Sequence, residues 1–127
     1  MKLLDAVVER IQTQGLGVPG KDLFRGFMPA QVSVGTLVLA RVTIDDDPYT
    51  GLKKGTFQVV TRAETADAAY ERASAVKNVL KLGSQQLGEV KFKFIFPKHE
   101  PLVFPRTDGS QYEASVNYQF VSEDWSN

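Results

Sequence analysis

Three consecutive carboxylates, Asp45, Asp46 and Asp47, form the densest chemical feature of this 127-residue sequence. Pro48, Tyr49, Thr50 and Gly51 follow them, and then Lys53 and Lys54. Acids packed this closely suggest a metal site. Successive residues of an extended chain point to alternate sides, however, so three in a row do not converge on one ion. The segment also lacks the spaced acids and closing Glu of a calcium-binding loop. Zinc is no better served, with no cysteine and a single histidine, His99, so that a site would need all-carboxylate ligation or ligands from a partner. What remains is a charged connection, eleven residues from Asp45 to Gly55 and long for a hairpin, that faces solvent or a partner.

The other chemically suggestive spots weaken in the same way. His99 beside Glu100 offers a proton donor and acceptor, but no nucleophile is matched to them and prolines bound the turn on both sides. Gly15, Gly17 and Gly20 lack the Lys-Ser/Thr that completes a phosphate loop, and no strand precedes them. There is no Gly-x-Ser-x-Gly nucleophile elbow. Lys91 and Lys93 interleave with Phe92, Phe94 and Phe96, a pattern that binds single-stranded nucleic acid when both kinds of residue share a face. Regular alternation separates them: Val90, Phe92, Phe94 and Phe96 on one face, Lys91, Lys93 and Ile95 on the other. The expectation is a buried aromatic face and a wet lysine face, with no catalytic residue, cofactor or metal.

The bulk composition agrees. Fifteen basic residues balance fifteen acidic ones, so there is no basic excess of the kind a dedicated nucleic-acid binder shows. At 43% hydrophobic and 24% charged, the chain reads as one ordinary globular domain, 1–127. No run approaches the roughly 20 apolar residues that cross a bilayer. The first helix has charges inside its apolar pattern, unlike a signal peptide, and its polar face is not basic. The protein is expected to stay where it is made, with no membrane partner.

The elements follow from periodicity. Leu3, Leu4, Val7, Val8 and Ile11 form a helical stripe that ends near Gly15. A short apolar stretch at 23–28, stopped by Pro29, reads as an edge strand or an irregular arm. The run 37–44 reads as a strand with Val38, Ala40, Val42 and Ile44 on one face. The stretch 56–83 is the organising unit. In its strand, Phe57, Val59, Thr61 and Ala63 oppose Thr56, Gln58, Val60 and Arg62. In its helix, Thr65 is the expected N-cap, Ala69, Ala73, Val76 and Leu80 are the buried stripe, and Gly83 is the expected C′ residue. A strand at 90–96 and a short one at 102–104 follow. Thr107, Asp108, Gly109 and Ser110 then read as a hairpin turn. The last strand alternates most cleanly, with Tyr112, Ala114, Val116, Tyr118 and Phe120 opposite Glu113, Ser115, Asn117 and Gln119.

These elements give an α+β fold: a mostly antiparallel sheet of four to six strands, with two helices packed on one face. The strands flanking the second helix could run parallel through a right-handed crossover. The uncovered sheet face, with Gln58, Arg62, Lys91, Lys93 and Asn117, is then a flat, hydrogen-bonding candidate for subunit contact. The connection bearing Asp45, Asp46, Asp47, Pro48, Tyr49, Thr50, Lys53 and Lys54 is the candidate for contacting another partner.

Residues 45–49 and the run Gly51-Leu52-Lys53-Lys54-Gly55-Thr56-Phe57-Gln58-Val59-Val60-Thr61-Arg62-Ala63 resemble a signature stretch of tailed-phage minor capsid proteins of the tail-terminator type. There, a Gly-x-x-x-Gly-x-Phe-Gln-Val strand precedes an Ala-rich helix, as 66–82 does here. Glu100-Pro101-Leu102 and Tyr112-Glu113-Ala114-Ser115-Val116-Asn117-Tyr118 are also similar to that family, so the resemblance spans roughly the whole chain. It implies a virion neck protein assembled in the host cytoplasm. Such proteins form a self-associated ring, usually a hexamer, that caps the tail tube, stops its growth and joins the head connector or stopper. DNA passes through the lumen without being read, and nothing in the family is catalytic. Under this resemblance the 45–55 connection is the choice for the ring-to-ring or lumen contact, because acids do not grip phosphates. The alternatives are another neck, connector or baseplate component, or a small-molecule-binding α+β module with a deep apolar pocket.

Overall fold

A computed structural model describes every residue except Thr107, Asp108, Ser126 and Asn127. The hairpin turn expected at 107–110 therefore lies partly outside the described residues. The order is α1 (Lys2–Thr13), β1 (Leu23–Arg25), β2 (Gly35–Leu39), β3 (Asp45–Asp46), β4 (Leu52–Ala63), α2 (Ala66–Leu80), β5 (Gln85–Leu87), β6 (Val90–Pro97), β7 (Leu102–Pro105) and β8 (Tyr112–Glu123). One sheet runs β1-β2-β4-β8-β6-β5, with β3 added to β4 and β7 to β8.

The α+β class stands, but among the described residues the sheet has eight strands instead of four to six, and it is mixed. β1 pairs with β2 in parallel. Alternation gives a strand's faces but not its direction, and the excursion 26–34 returns the chain to the end of the sheet where β1 began. β4 and β6 both run antiparallel to β8, so they point the same way but are separated by it rather than paired.

The two long strands β4 and β8 are paired along their whole length, from Leu52↔Glu123 to Ala63↔Tyr112. Their inner residues meet the helices. Phe57 stacks on Tyr118 with ring centroids 5.0 Å apart, and Phe120 meets Phe92 edge-on at 6.1 Å. Both rows are buried among Leu3, Val7 and Ile11 of α1 and Val76 and Leu80 of α2. The alanine stripe lets α2 come close to the sheet, so that the Thr61 hydroxyl donates to the Ala69 carbonyl at 3.0 Å. Thr65 caps α2 as expected, accepting from the Ala68 N–H at 3.1 Å. The helix ends at Leu80 with Lys81 as the extended C-cap, earlier than the expected Gly83 boundary. Leu82 then hydrogen-bonds with Ile95, which draws the chain into the sheet before a glycine turn can form.

Two strands depart from simple alternation. The strand expected over 37–44 stops at Leu39 because the register does not close. On β4, residues 55–57 separate the β2 pairing from the β3 pairing, whereas 40–44 must span the same gap on the other side. Five residues opposite three leave the ladder, and Val42 goes to solvent. On β6 the register shifts between Phe92 and Phe94, where Phe92 opposes Ser122 and Phe94 opposes Val121. Lys93 is the extra residue of this bulge. It inverts the alternation, so Val90, Phe92 and Ile95 are buried while Phe94 and Phe96 lie on the outer face.

Candidate functional site

The chain from Asp45 to Lys54 forms a hairpin. Asp45 opposes Lys54 and Asp46 opposes Lys53. The turn is closed by the Asp47 N–H donating to the Leu52 carbonyl at 2.9 Å and by the Gly51 N–H donating to the Asp47 carbonyl at 2.9 Å. Gly51 takes φ 71°, a left-handed conformation in which a side chain is strained. The Asp47 carboxylate accepts the Tyr49 N–H at 2.9 Å. That bond, aided by the Thr50 hydroxyl, holds Asp47 below its ordinary 3.8.

The three acids do not act as a set. Asp46 pairs with Lys53, whose ammonium also lies 3.6 Å from Asp124 and 5.0 Å from the centre of the Trp125 ring. The bond to Asp46 raises the Lys53 pKa above 10.5, although partial desolvation opposes it. Lys53 is thus a buried staple that fastens the hairpin and the C-terminal segment to the end of β4. Asp45, Pro48, Thr50 and Lys54 are exposed, and Tyr49 at the tip is 96% exposed. Among the described residues, no cluster of three or more His, Asp or Glu could hold a metal ion.

The uncovered sheet face is less polar than alternation implies. Arg62 is buried there. Its Nε donates to Glu113 at 3.0 Å, and one terminal nitrogen donates to the carbonyls of Pro29 (3.0 Å) and Val32 (2.9 Å). It therefore holds the 26–34 arm onto the sheet within its own chain. Asn117 donates its backbone N–H to His99 Nε2 at 3.1 Å, which gives His99 a place in the β6–β7 turn. Gln58 is half-buried, and its side-chain carbonyl has no partner among the described residues. It borders a shallow hollow of about 340 Å³ with Leu37, Val60 and Phe104. Lys91 is exposed, and Lys93 lies 4.0 Å from Glu123.

Sequence reasoning missed the largest feature of this face. β4 uses one edge for β8 along its whole length, so β2 and β3 both lie on its other edge. β8 likewise uses one edge for β4, so β6 and β7 both lie on the far side. On that far side Phe94 and Phe96 of β6, then Leu102 and Phe104 of β7, form one exposed apolar row. Phe96 is 52% exposed and Leu102 63%. Beyond Phe96 lies a hollow of about 370 Å³ lined by Lys77, Lys81, Lys98, His99 and Glu100. The signal available in the sequence was the run Phe94-Ile95-Phe96, where alternation with lysine stops and three consecutive apolar residues cannot all share one buried face.

Another hollow, about 710 Å³, lies between the glycine loop after α1 and α2. It is crossed by polar groups. Arg72 Nε donates to the Thr36 hydroxyl at 2.8 Å, and its terminal nitrogen donates to the Asp22 carbonyl at 3.1 Å. Among the described residues, no helix is long and apolar enough to cross a membrane.

Comparison with known proteins gives one family and one fold. The family model described as "Bacteriophage tail terminator protein" matches residues 10–124, which includes both sheet edges and the hairpin. No curated protein sequence matches. Among solved structures, a chain of "Virion of native gene transfer agent (GTA) particle" superposes with a TM-score of 0.74. It covers 96% of this chain and 95% of that chain at 14% identity, which is a likeness of fold.

Proposed function

The chain belongs to the bacteriophage tail terminator family, and on that premise we propose that it caps the tail tube as a self-associated collar and joins the tail to the head. Family membership makes it a structural protein of the virion tail. The finer assignment is ours. Copies of the chain form a ring, six-membered by family resemblance, in the neck of the particle, after assembly in the host cytoplasm. One face of the ring meets the tail-tube protein, the other meets the head connector or stopper, and DNA passes through the lumen without sequence-specific contact.

One structural observation supports the collar best: the two sides of the β4–β8 pair carry unlike surfaces. The β4 side bears the protruding acidic hairpin, and the far side of β8 bears the exposed row of Phe94, Phe96, Leu102 and Phe104 on β6 and β7. Unlike surfaces on opposite sides of one subunit suit head-to-tail contacts, and head-to-tail contacts close into rings. The charge balance suits a lumen wall, since a strongly basic surface would bind the passing phosphates. Gln58, Lys91, Lys93 and Asn117 remain candidates for the subunit-contact face, with Arg62 acting behind them to fix the arm.

The test is electron microscopy of the pure chain mixed with purified tail tubes. The proposal expects collars at one end of the tubes and no further tube growth past them. Binding along the tube wall, at the baseplate end, or not at all would overturn it.

A further inference from the structure

We propose that the acidic hairpin of one copy, led by Tyr49, seats against Phe96 on the outer face of β6 and the lysine-lined hollow beside it on a second copy. The inference rests on the collar proposed above and names the contact that would build it.

The occupant is argued from shape, polarity and charge together. Tyr49 stands at the tip of a hairpin whose backbone is fixed by the Asp47 turn, so a rigid aromatic is held out in water at 96% exposure. Aromatic anchors of this kind, with little freedom left to lose, are enriched where interfaces bury most of their energy. Asp45 lies at the base of the same hairpin, exposed, opposite Lys54 and on the other face from the Asp46–Lys53 pair. The receiving face has the complement. Phe96 offers an exposed ring, and Lys77, Lys81 and Lys98 line the adjoining hollow with Glu100 as its only carboxylate. Glu100 already pairs with Lys77, which leaves Lys81 and Lys98 to face an incoming acid. The hairpin pairs with the side of β4 that faces away from β8, and Phe96 lies on β6 beyond β8, so two strands stand between the hairpin and the hollow of its own chain. A second copy supplies both partners at once, and each added copy leaves a fresh hairpin and a fresh hollow until the ring closes.

The chain has no cysteine, so cross-linking is clean. Thr50→Cys and Glu100→Cys flank the contact without removing its anchors. The doubly substituted chain, oxidised after assembly on tail tubes, is expected to give a ladder of covalent multimers. Each single substitution alone gives none, and a mixture of the two singles gives dimers. Asp45→Lys and Lys98→Glu are each expected to weaken self-association about tenfold, and together to restore it. If collars form but no ladder appears, or if Glu100→Cys alone cross-links to itself or to the tube protein, this contact is wrong while the collar stands. If no collar forms at all, the contact and the collar both fall.

Discussion

β8 and β6 are neighbours in one sheet, yet they use their aromatic residues in opposite ways. β8 keeps strict alternation over twelve residues, and its inward row, Ala114, Val116, Tyr118 and Phe120, is wholly buried against the helices. β6 starts in the same manner with Val90 and Phe92, then inserts Lys93 and turns its next two phenylalanines outward. At the bulge the aromatic residues of β6 change from the buried face to the outer face. A bulge beside an exposed aromatic row is a means of re-aiming side chains toward a partner without changing their chemistry.

The largest expected effect lies on the β8 side. Phe120→Ala removes a fully buried ring that touches Phe57, Phe92 and Trp125, and it should cost about 3–5 kcal/mol in denaturant unfolding. Phe96→Ala on β6 should leave stability within about 0.5 kcal/mol. A large stability loss there would show that Phe96 belongs to the core and would abolish the contrast.

Next comes the pair that holds the arm over the outer face. Glu113→Ala leaves the Arg62 guanidinium largely buried beside only the Pro29 and Val32 carbonyls, and is expected to destabilise by about 2–3 kcal/mol. Faster amide exchange in 26–34, with none in β8, would locate the loss in the arm. Deleting Lys93 is the sharper probe. With the extra residue gone, Phe92 and Phe94 become consecutive partners of Ser122 and Val121, and the strand alternates regularly with Phe94 and Phe96 still outward. Stability should change by less than about 1 kcal/mol, and collar assembly should survive. If the deletion buries Phe94 and stops assembly, the bulge has a different role.

How far the sequence was legible follows from the same contrast. The α2 unit, its Thr65 cap and the inner rows of β4 and β8 were readable because one period runs unbroken through each. The faces of β6 were not, since alternation carries no mark of a one-residue slip. The end of β2 was hidden for a related reason: only the pairing of β3 with β4 reveals that 40–44 has more residues than the ladder can take. The hairpin acids were visible as residues, but their separation was not. Lys53, seven residues beyond Asp46, is the group that pairs with Asp46 and offsets its charge. Trp125 is the one aromatic residue in the polar stretch 122–127, and nothing in that stretch marks it as packing against the core beside Phe120.

The smallest effects are those of pH on the hairpin. Asp47 has a depressed pKa in the folded chain, so its contribution is complete above its ordinary 3.8 and is lost as pH falls through the lowered value. Lys53 behaves in the opposite sense: its pKa is raised, so its contribution is complete below 10.5 and is lost as pH rises through the raised value. The Tyr49 amide resonance should therefore move in acid below about 3.8 while amides of β8 stay fixed. Movement of both together would mean that the hairpin and the sheet unfold as one unit.

The most direct measurement is to image tail tubes with the unaltered chain and with Phe96→Glu, after confirming that the two have equal unfolding midpoints. The account predicts collars on the tubes with the unaltered chain and bare ends with Phe96→Glu. Equal capping by both would contradict it, because the outward row of β6 would then take no part in assembly.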